Sequence, residues 1–274
     1  MTILNVACVQ MRSGVTPAAN RAAALELIRE AAKEGAQLVA TPEMTNILDI
    51  RPGGARGKIR REEDDETLPA LQDEAKALGI WLLVGSLAIA LPGDDRKANR
   101  SFLIGPDGAI AARYDKINMF DVEVDDGQSY RESRAYCAGD RAVVAKTPFG
   151  QIGLTVCYDV RFPGLYRTLA QAGAEIITCP AAFTRVTGAA HWHVLLRARA
   201  IETGCFIIAP AQGGKHEDGR ETFGHSLIVS PWGEIIAEAD HAEPGIVQAS
   251  INLAEVSAAR RKIPAWNTDR AYSF

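Results

Sequence analysis

Ser101-Phe-Leu-Ile-Gly-Pro-Asp-Gly-Ala-Ile-Ala-Ala112 reads as a strand, a Pro-x-Gly turn and a returning strand, and the chain repeats it as Ser226-Leu-Ile-Val-Ser-Pro-Trp-Gly-Glu-Ile-Ile-Ala237. Proline presets one backbone dihedral of such a turn and glycine accepts the positive one, so the hairpin is encoded locally. A fainter third copy is Thr147-Pro-Phe-Gly-Gln-Ile152. Unrelated hairpins converge on this turn chemistry. The two long copies, however, sit in corresponding halves of the chain, which points to a pseudo-symmetric pair of half-domains, each with its own sheet. Two sheets packed together and covered by helices outside make a layered α/β sandwich.

Outward from the hairpins, strand and helix signals alternate. Strands are expected at 4–10, 36–40, 81–91 and 101–104, then at 142–146, 151–156, 174–179 and 205–211, with closing strands at 227–229, 234–239 and 245–251. Residues 17–33 carry Ala24, Leu27, Ile28 and Ala31 at helical spacing. Further helices are expected over 67–78, from Pro163, and over 191–203, with a short one near the end. Residues 92–99 read as a turn. No linker or low-complexity tract interrupts the chain, so residues 1–274 are expected to form a single domain.

With 274 residues, of which 47% are hydrophobic, the chain has material for a sizeable core. A net charge of −4 argues against nucleic acid and acidic membranes as partners. The longest apolar run, 80–91, is too short to span a bilayer. Met1-Thr-Ile-Leu-Asn-Val-Ala-Cys8 lacks the basic start and cleavage site of a signal peptide. Five cysteines at irregular spacings argue against a disulfide framework and suit a reducing cytosol, so a cytoplasmic location is expected.

Three strand-like runs end in chemistry. Gln37-Leu-Val-Ala-Thr-Pro-Glu43 ends in an acid, Ala109-Ile-Ala-Ala-Arg-Tyr-Asp-Lys116 in a base, and Leu154-Thr-Val-Cys-Tyr-Asp-Val-Arg-Phe-Pro163 stops at a thiol. Chemistry collects beyond the carboxyl ends of strands. Backbone N–H groups at a helix mouth are expected to lower the Cys157 pKa. Local context alone leaves Cys157 open between nucleophile and small core hydrophobe; Cys8, Cys179 and Cys205 lie inside apolar runs and fit the second role, and Cys137 sits in a polar loop. Apolar neighbours predict a partly buried Glu43 with a raised pKa, suited to proton transfer. Lys116 beside Ile117-Asn-Met-Phe120 calls for an anionic partner. Glu132, in Ser129-Tyr-Arg-Glu-Ser133, reads by itself as a loop acid.

Competing chemistries find little support. There is no Gly-x-Ser-x-Gly elbow, Walker loop or Gly-x-Gly-x-x-Gly. His191 and His193 are two apart on an expected helix, so their rings point to different faces and no metal site is expected there. Asp121-Val-Glu-Val-Asp-Asp126 lacks calcium-loop spacing.

Taken together, Pro42-Glu43, Tyr114-Asp-Lys116 and Val156-Cys-Tyr-Asp-Val-Arg-Phe-Pro163 resemble the nitrilase superfamily of carbon–nitrogen hydrolases over almost the whole chain. Thr187-Gly-Ala-Ala-His-Trp-His-Val-Leu-Leu-Arg-Ala-Arg-Ala-Ile-Glu202, Gly224-His-Ser226 and Pro231-Trp-Gly233 are similar to the branch holding deaminated-glutathione amidase and omega-amidase. The resemblance implies a four-layer α-β-β-α sandwich and a cofactor-free Glu-Lys-Cys triad on Glu43, Lys116 and Cys157. It raises Glu132 from loop acid to fourth catalytic member. Tyr158-Asp159 stands where true nitrilases usually carry Trp-Glu, so an amide is expected rather than a nitrile. In this branch Arg161 and Thr187 would hold a substrate carboxylate, with Phe183 lining the pocket and the Tyr158 N–H completing an oxyanion hole. Arg161 could instead pair with Asp159. His193 and Gly213 depart from the branch, where an acid and a cysteine are common.

The expected substrate is therefore a small amide bearing a carboxylate: deaminated glutathione, or alternatively α-ketoglutaramate or succinamate. A catalytically idle binding member is the alternative of another class. The region from His191 to Glu202 helps form a homodimer in the family, and a dimer is expected here.

Overall fold

The chain's motif of three parallel strands followed by an antiparallel hairpin occurs twice. A computed structural model describes residues 3–51, 53–124, 128–268 and 270–273. The first copy runs β1 (Ile3–Gln10), α1 (Pro17–Lys33), β2 (Leu38–Ala40), α2 (Thr67–Leu78), β3 (Trp81–Ala90), β4 (Lys97–Ile104) and β5 (Ile110–Asp115). An excursion follows through β6 (Asp121–Val124), β7 (Gln128–Arg131) and β8 (Tyr136–Cys137). After the lead-in strand β9 (Val143–Thr147), the second copy runs β10 (Gly150–Leu154), α3 (Pro163–Gln171), β11 (Ile176–Thr178), α4 (Arg185–Thr203) and β12 (Phe206–Ala209). The small hairpin β13 (Gly213–Lys215) and β14 (Glu221–Phe223) interrupts it before β15 (Leu227–Val229) and β16 (Ile235–Glu238). The strand β17 (Gly245–Asn252) and helix α5 (Ala254–Lys262) close the chain.

The sheets have the matching orders β17-β1-β2-β3-β4-β5 and β16-β15-β12-β11-β10-β9. In each, a parallel triplet is flanked by an antiparallel strand on one side (β17 or β9) and the hairpin on the other. The register slips between Leu103 and Ile104 in one hairpin and between Ile228 and Val229 in the other. These are equivalent positions in the two quoted stretches, so the resemblance in sequence is carried through to the bulge.

Side-chain alternation along the strands assembles the layers. Leu4, Val6 and Cys8 of β1 join one core with Ile152, Ile177 and Ile208 of the second sheet. The intervening Ala7 and Val9 pack instead with Ala24 and Ile28 of α1 and Leu71 of α2. Beyond the second sheet, Leu169 of α3 and Leu196 of α4 close the same inter-sheet core from outside. The result is the expected four-layer α-β-β-α sandwich.

Several boundaries differ from the sequence reading. β4 begins at Lys97 rather than Ser101, because Asn99 is a buried polar residue that breaks the apolar pattern. α4 begins at Arg185 rather than His191, capped by the Thr184 hydroxyl, which accepts from the Thr187 N–H. The hairpins β6–β7 and β13–β14 were not anticipated. Of the acidic run 121–126, residues 121–124 form β6, and Asp125 and Asp126 lie outside the described residues. No helix among the described residues is long and apolar enough to cross a membrane.

Candidate active site

Three chain segments leave the sheets toward one another and are locked before they reach the site. After β2, Thr41 N–H bonds the Leu83 carbonyl at 2.9 Å and Thr45 N–H the Ser86 carbonyl at 2.9 Å, folding the Glu43 turn over β3. Gly85 permits this approach: a Cβ there would lie 2.0 Å from the Thr41 carbonyl oxygen. After β5, Lys116 N–H bonds the Asn99 carbonyl at 3.0 Å. After β10, Cys157 adopts φ 52°, a left-handed conformation rare for a residue with a side chain, and opens a 3₁₀ turn to Arg161.

Asp159 explains how the last two segments are registered. Its carboxylate, wholly buried, accepts from Tyr114 Oη at 2.6 Å, Val156 N–H at 2.9 Å, and Asn118 N–H and Nδ2 at 3.0 and 2.8 Å. Tyr114 thus ties the strand carrying Lys116 to the turn carrying Cys157. The suggested Arg161–Asp159 pair does not form.

The structure brings Glu43, Lys116, Glu132 and Cys157 into one cluster. Lys116 Nζ donates to Glu43 Oε1 at 3.0 Å and to Glu132 Oε1 and Oε2 at 3.0 and 2.8 Å. Glu43 Oε2 accepts from Ala182 N–H at 2.9 Å, and the Cys157 thiol is close enough to its carboxylate to help lower its pKa. Glu132 Oε2 accepts from Phe120 N–H at 2.6 Å, which fixes it against Lys116. Asn99, which sequence reasoning missed, donates from Nδ2 to Glu43 Oε1 at 2.8 Å and to Glu132 Oε1 at 3.3 Å. Its only signal was a polar residue where a strand's buried face required an apolar one.

Two electrostatic expectations are corrected. The Cys157 pKa is raised well above an ordinary thiol's, by burial and then by the Glu43 carboxylate, which outweigh Lys116 and a backbone N–H. Glu43, expected to be raised, is lowered: burial pushes it up, but the Lys116 ammonium, the thiol and Asn99 prevail. Burial also opposes the Lys116 charge, yet Glu132 and Glu43 outweigh it and raise its pKa. The resting state is therefore thiol, carboxylate and ammonium.

The cluster opens into a cavity of about 1160 Å³ whose lining includes Tyr158, Phe183 and Thr187. Thr187 lies in the first turn of α4, its hydroxyl 2.8 Å from that of Thr184. Arg161 is not in the lining. Half-buried rather than buried, its guanidinium lies 5.3 Å from the Phe183 ring centre and 3.3 Å from His191 Nδ1, at the rim. His193 turns away from His191 and bonds Glu238 Oε1 at 2.7 Å, an oxygen shared with His225 Nδ1 at 2.8 Å. This is the one grouping among the described residues with metal-ligand geometry, and its donors engage one another.

Residues 5–261 match the carbon–nitrogen hydrolase family. The chain is 41% identical over 271 residues to a deaminated glutathione amidase of Yersinia enterocolitica, covering 98% of this chain and 94% of that protein. The structure superposes on the C. elegans NitFhit protein with a TM-score of 0.90 and 33% identity, covering 98% of this chain and 65% of that one. It also superposes on the amidase of Nesterenkonia sp. AN1 with a TM-score of 0.79 and 25% identity, covering 95% and 98% of the two chains. That amidase, as a glutamate-to-glutamine mutant, carries acrylamide joined by Michael addition to its active-site cysteine. The chain belongs to the carbon–nitrogen hydrolase family, the nitrilase superfamily. Within it, this is an amidase acting on non-peptide carbon–nitrogen bonds.

Proposed function

We propose that the chain, working as one domain, hydrolyses the amide of deaminated glutathione to an α-keto acid and cysteinylglycine, with Glu43, Lys116, Glu132 and Cys157 as its machinery. The observation that carries this reading is the thiol–carboxylate–ammonium cluster at the floor of a cavity roomy enough for a peptide-like amide. The Yersinia relative's activity supports the choice of substrate.

In the reaction, Glu43 removes the Cys157 proton as sulfur attacks the amide carbonyl. The developing oxyanion meets the Lys116 ammonium and the Tyr158 N–H, which lies in the first turn of the 3₁₀ helix where amides lack an intrahelical acceptor. Glu43 gives the proton to the departing amine, leaving a thioester on Cys157. Glu43 then deprotonates water, which attacks the thioester. Collapse releases the acid, and the proton returns to sulfur. Glu132 holds Lys116 in place, and Arg161 with Thr187 receives the keto-acid carboxylate beside Phe183.

The reading includes a cytoplasmic setting, supported by five unpaired cysteines, and a metabolite-repair role. The test is product release by wild type and Cys157→Ala from deaminated glutathione, α-ketoglutaramate, succinamate, glutamine and a simple nitrile. Cysteinylglycine formed fastest, and only with Cys157 present, is the expected result. Preference for α-ketoglutaramate would assign an omega-amidase instead, and no turnover of any compound would point to a binding role.

A further inference from the structure

The same cavity has a second cationic end. Its lining also includes Met44, Ile47, Ile59 and Tyr136, which pack together as an apolar cluster. Arg220, at the foot of β14, also lines the cavity. The Arg220 side chain forms no hydrogen bond or ion pair among the described residues, and its Nε is buried with no acceptor. A sealed donor without a partner is a standing cost that an incoming acceptor removes.

Arg220 is held in position rather than loosely placed. Asp218 accepts from the Arg220 N–H at 3.0 Å and from the Ile50 N–H at 2.9 Å, clipping the hairpin loop to the far wall. Buried His216 pins the same hairpin through Ser13 O at 2.9 Å and Thr222 Oγ1 at 2.7 Å. The Tyr136 hydroxyl is within electrostatic reach of both the Arg220 guanidinium and Glu43, Lys116 and Glu132, so Arg220 and the cluster share one neighbour. No ion pair joins Arg220 to an acid among the described residues; Asp218 meets its backbone N–H, and of the acids lining the cavity Asp49 is engaged by Arg51 and Lys58, and Asp94 by Arg96.

We infer that Arg220 is a specificity residue that binds a carboxylate on the leaving-group side of the scissile amide, with the apolar cluster taking the short chain between. This rests on the reading under Proposed function and extends it. Arg161 has different neighbours, Phe183 and His191, so the two guanidiniums are separate anion sites and suit a substrate with an anionic group at each end and the amide between them. Deaminated glutathione has that form, its glycyl carboxylate falling to Arg220. A primary amide that releases ammonia has nothing to offer this arm.

The experiment compares wild type, Arg220→Gln and Arg220→Lys on deaminated glutathione and on its analogue with the glycyl carboxylate replaced by a carboxamide. Arg220→Gln should lower kcat/KM on the acid by about tenfold to a hundredfold, chiefly through KM, since the contact is made equally before and during reaction. In wild type the carboxamide should lose a similar factor. The two losses should not multiply when combined, and Arg220→Lys should recover part of the loss. Equal loss on both substrates, or no loss on the acid, overturns the inference while leaving the amidase reading intact. If wild type does not cleave deaminated glutathione, that reading fails. Inhibition of α-ketoglutaramate hydrolysis by cysteinylglycine then decides: inhibition weakened by Arg220→Gln upholds the subsite, and undiminished or absent inhibition refutes it.

Discussion

Lys116 is the residue on which the cluster's charge balance depends. It is 2% exposed and stands between two carboxylates, so its loss leaves Glu43 and Glu132 facing each other and, on the proposed mechanism, removes an oxyanion donor. Lys116→Ala should lower kcat by about 10²–10³-fold. It should also move the acid limb of the pH profile upward, because Glu43 loses the charge that depresses its pKa. On the proposed mechanism the active form has Glu43 ionised and Cys157 protonated. The lowered Glu43 and raised Cys157 move both transitions away from neutrality, so kcat/KM should stay flat through the neutral range. A limb near neutrality would contradict this. The same sign applies to stability: the contribution of Glu43 is present above its unfolded pKa and is lost as pH falls through the depressed folded value. The position of Cys157 at the end of a strand was legible in sequence because an apolar run stops at it. The direction of the Glu43 shift was not, because burial shows in neighbouring residues whereas Lys116 and Asn99 arrive from distant strands. Glu132 shows no local pattern at all, since Phe120 N–H, Lys116 and Asn99, none of them its sequence neighbours, define its place.

At the scale of elements, the site depends on turns that are held against strands. Tyr114→Phe removes the 2.6 Å hydrogen bond to buried Asp159 and should cost about 1.5–3 kcal/mol of stability, read by denaturant unfolding, with kcat falling as Lys116 and Cys157 lose register. Gly85→Ala would press a methyl against the Thr41 carbonyl and displace the Glu43 turn, so a lower Tm together with a lower kcat is expected. An unchanged kcat in both variants would detach these contacts from catalysis. The duplicated hairpins were readable because their turn chemistry is local. The start of α4 was not: Arg185-Val-Thr-Gly188 is poor helix sequence, and Gly188 is there because a Cβ would meet Phe223 at 2.3 Å. Packing of β14, itself unforeseen, decides that residue.

For the whole molecule, two copies of one βαβαβ-hairpin unit face each other across the inter-sheet core, and the proposed reacting groups come from both: Glu43 and Lys116 from the first, Cys157 from the second. Each sheet holds part of the machinery. The outer face of α4 leaves Val194 68% and Ile201 51% exposed, near Trp232, itself 51% exposed. Such a patch fits a second copy of the chain, and light scattering after size exclusion should give a dimer at micromolar concentration; a monomer would refute it. The most direct test of the central claim is intact-protein mass spectrometry of enzyme quenched during turnover of deaminated glutathione. An acyl adduct equal to the keto-acid portion is expected, mapped to Cys157 and absent from Cys157→Ala, which should release no cysteinylglycine. Undiminished cysteinylglycine release by Cys157→Ala would contradict that claim.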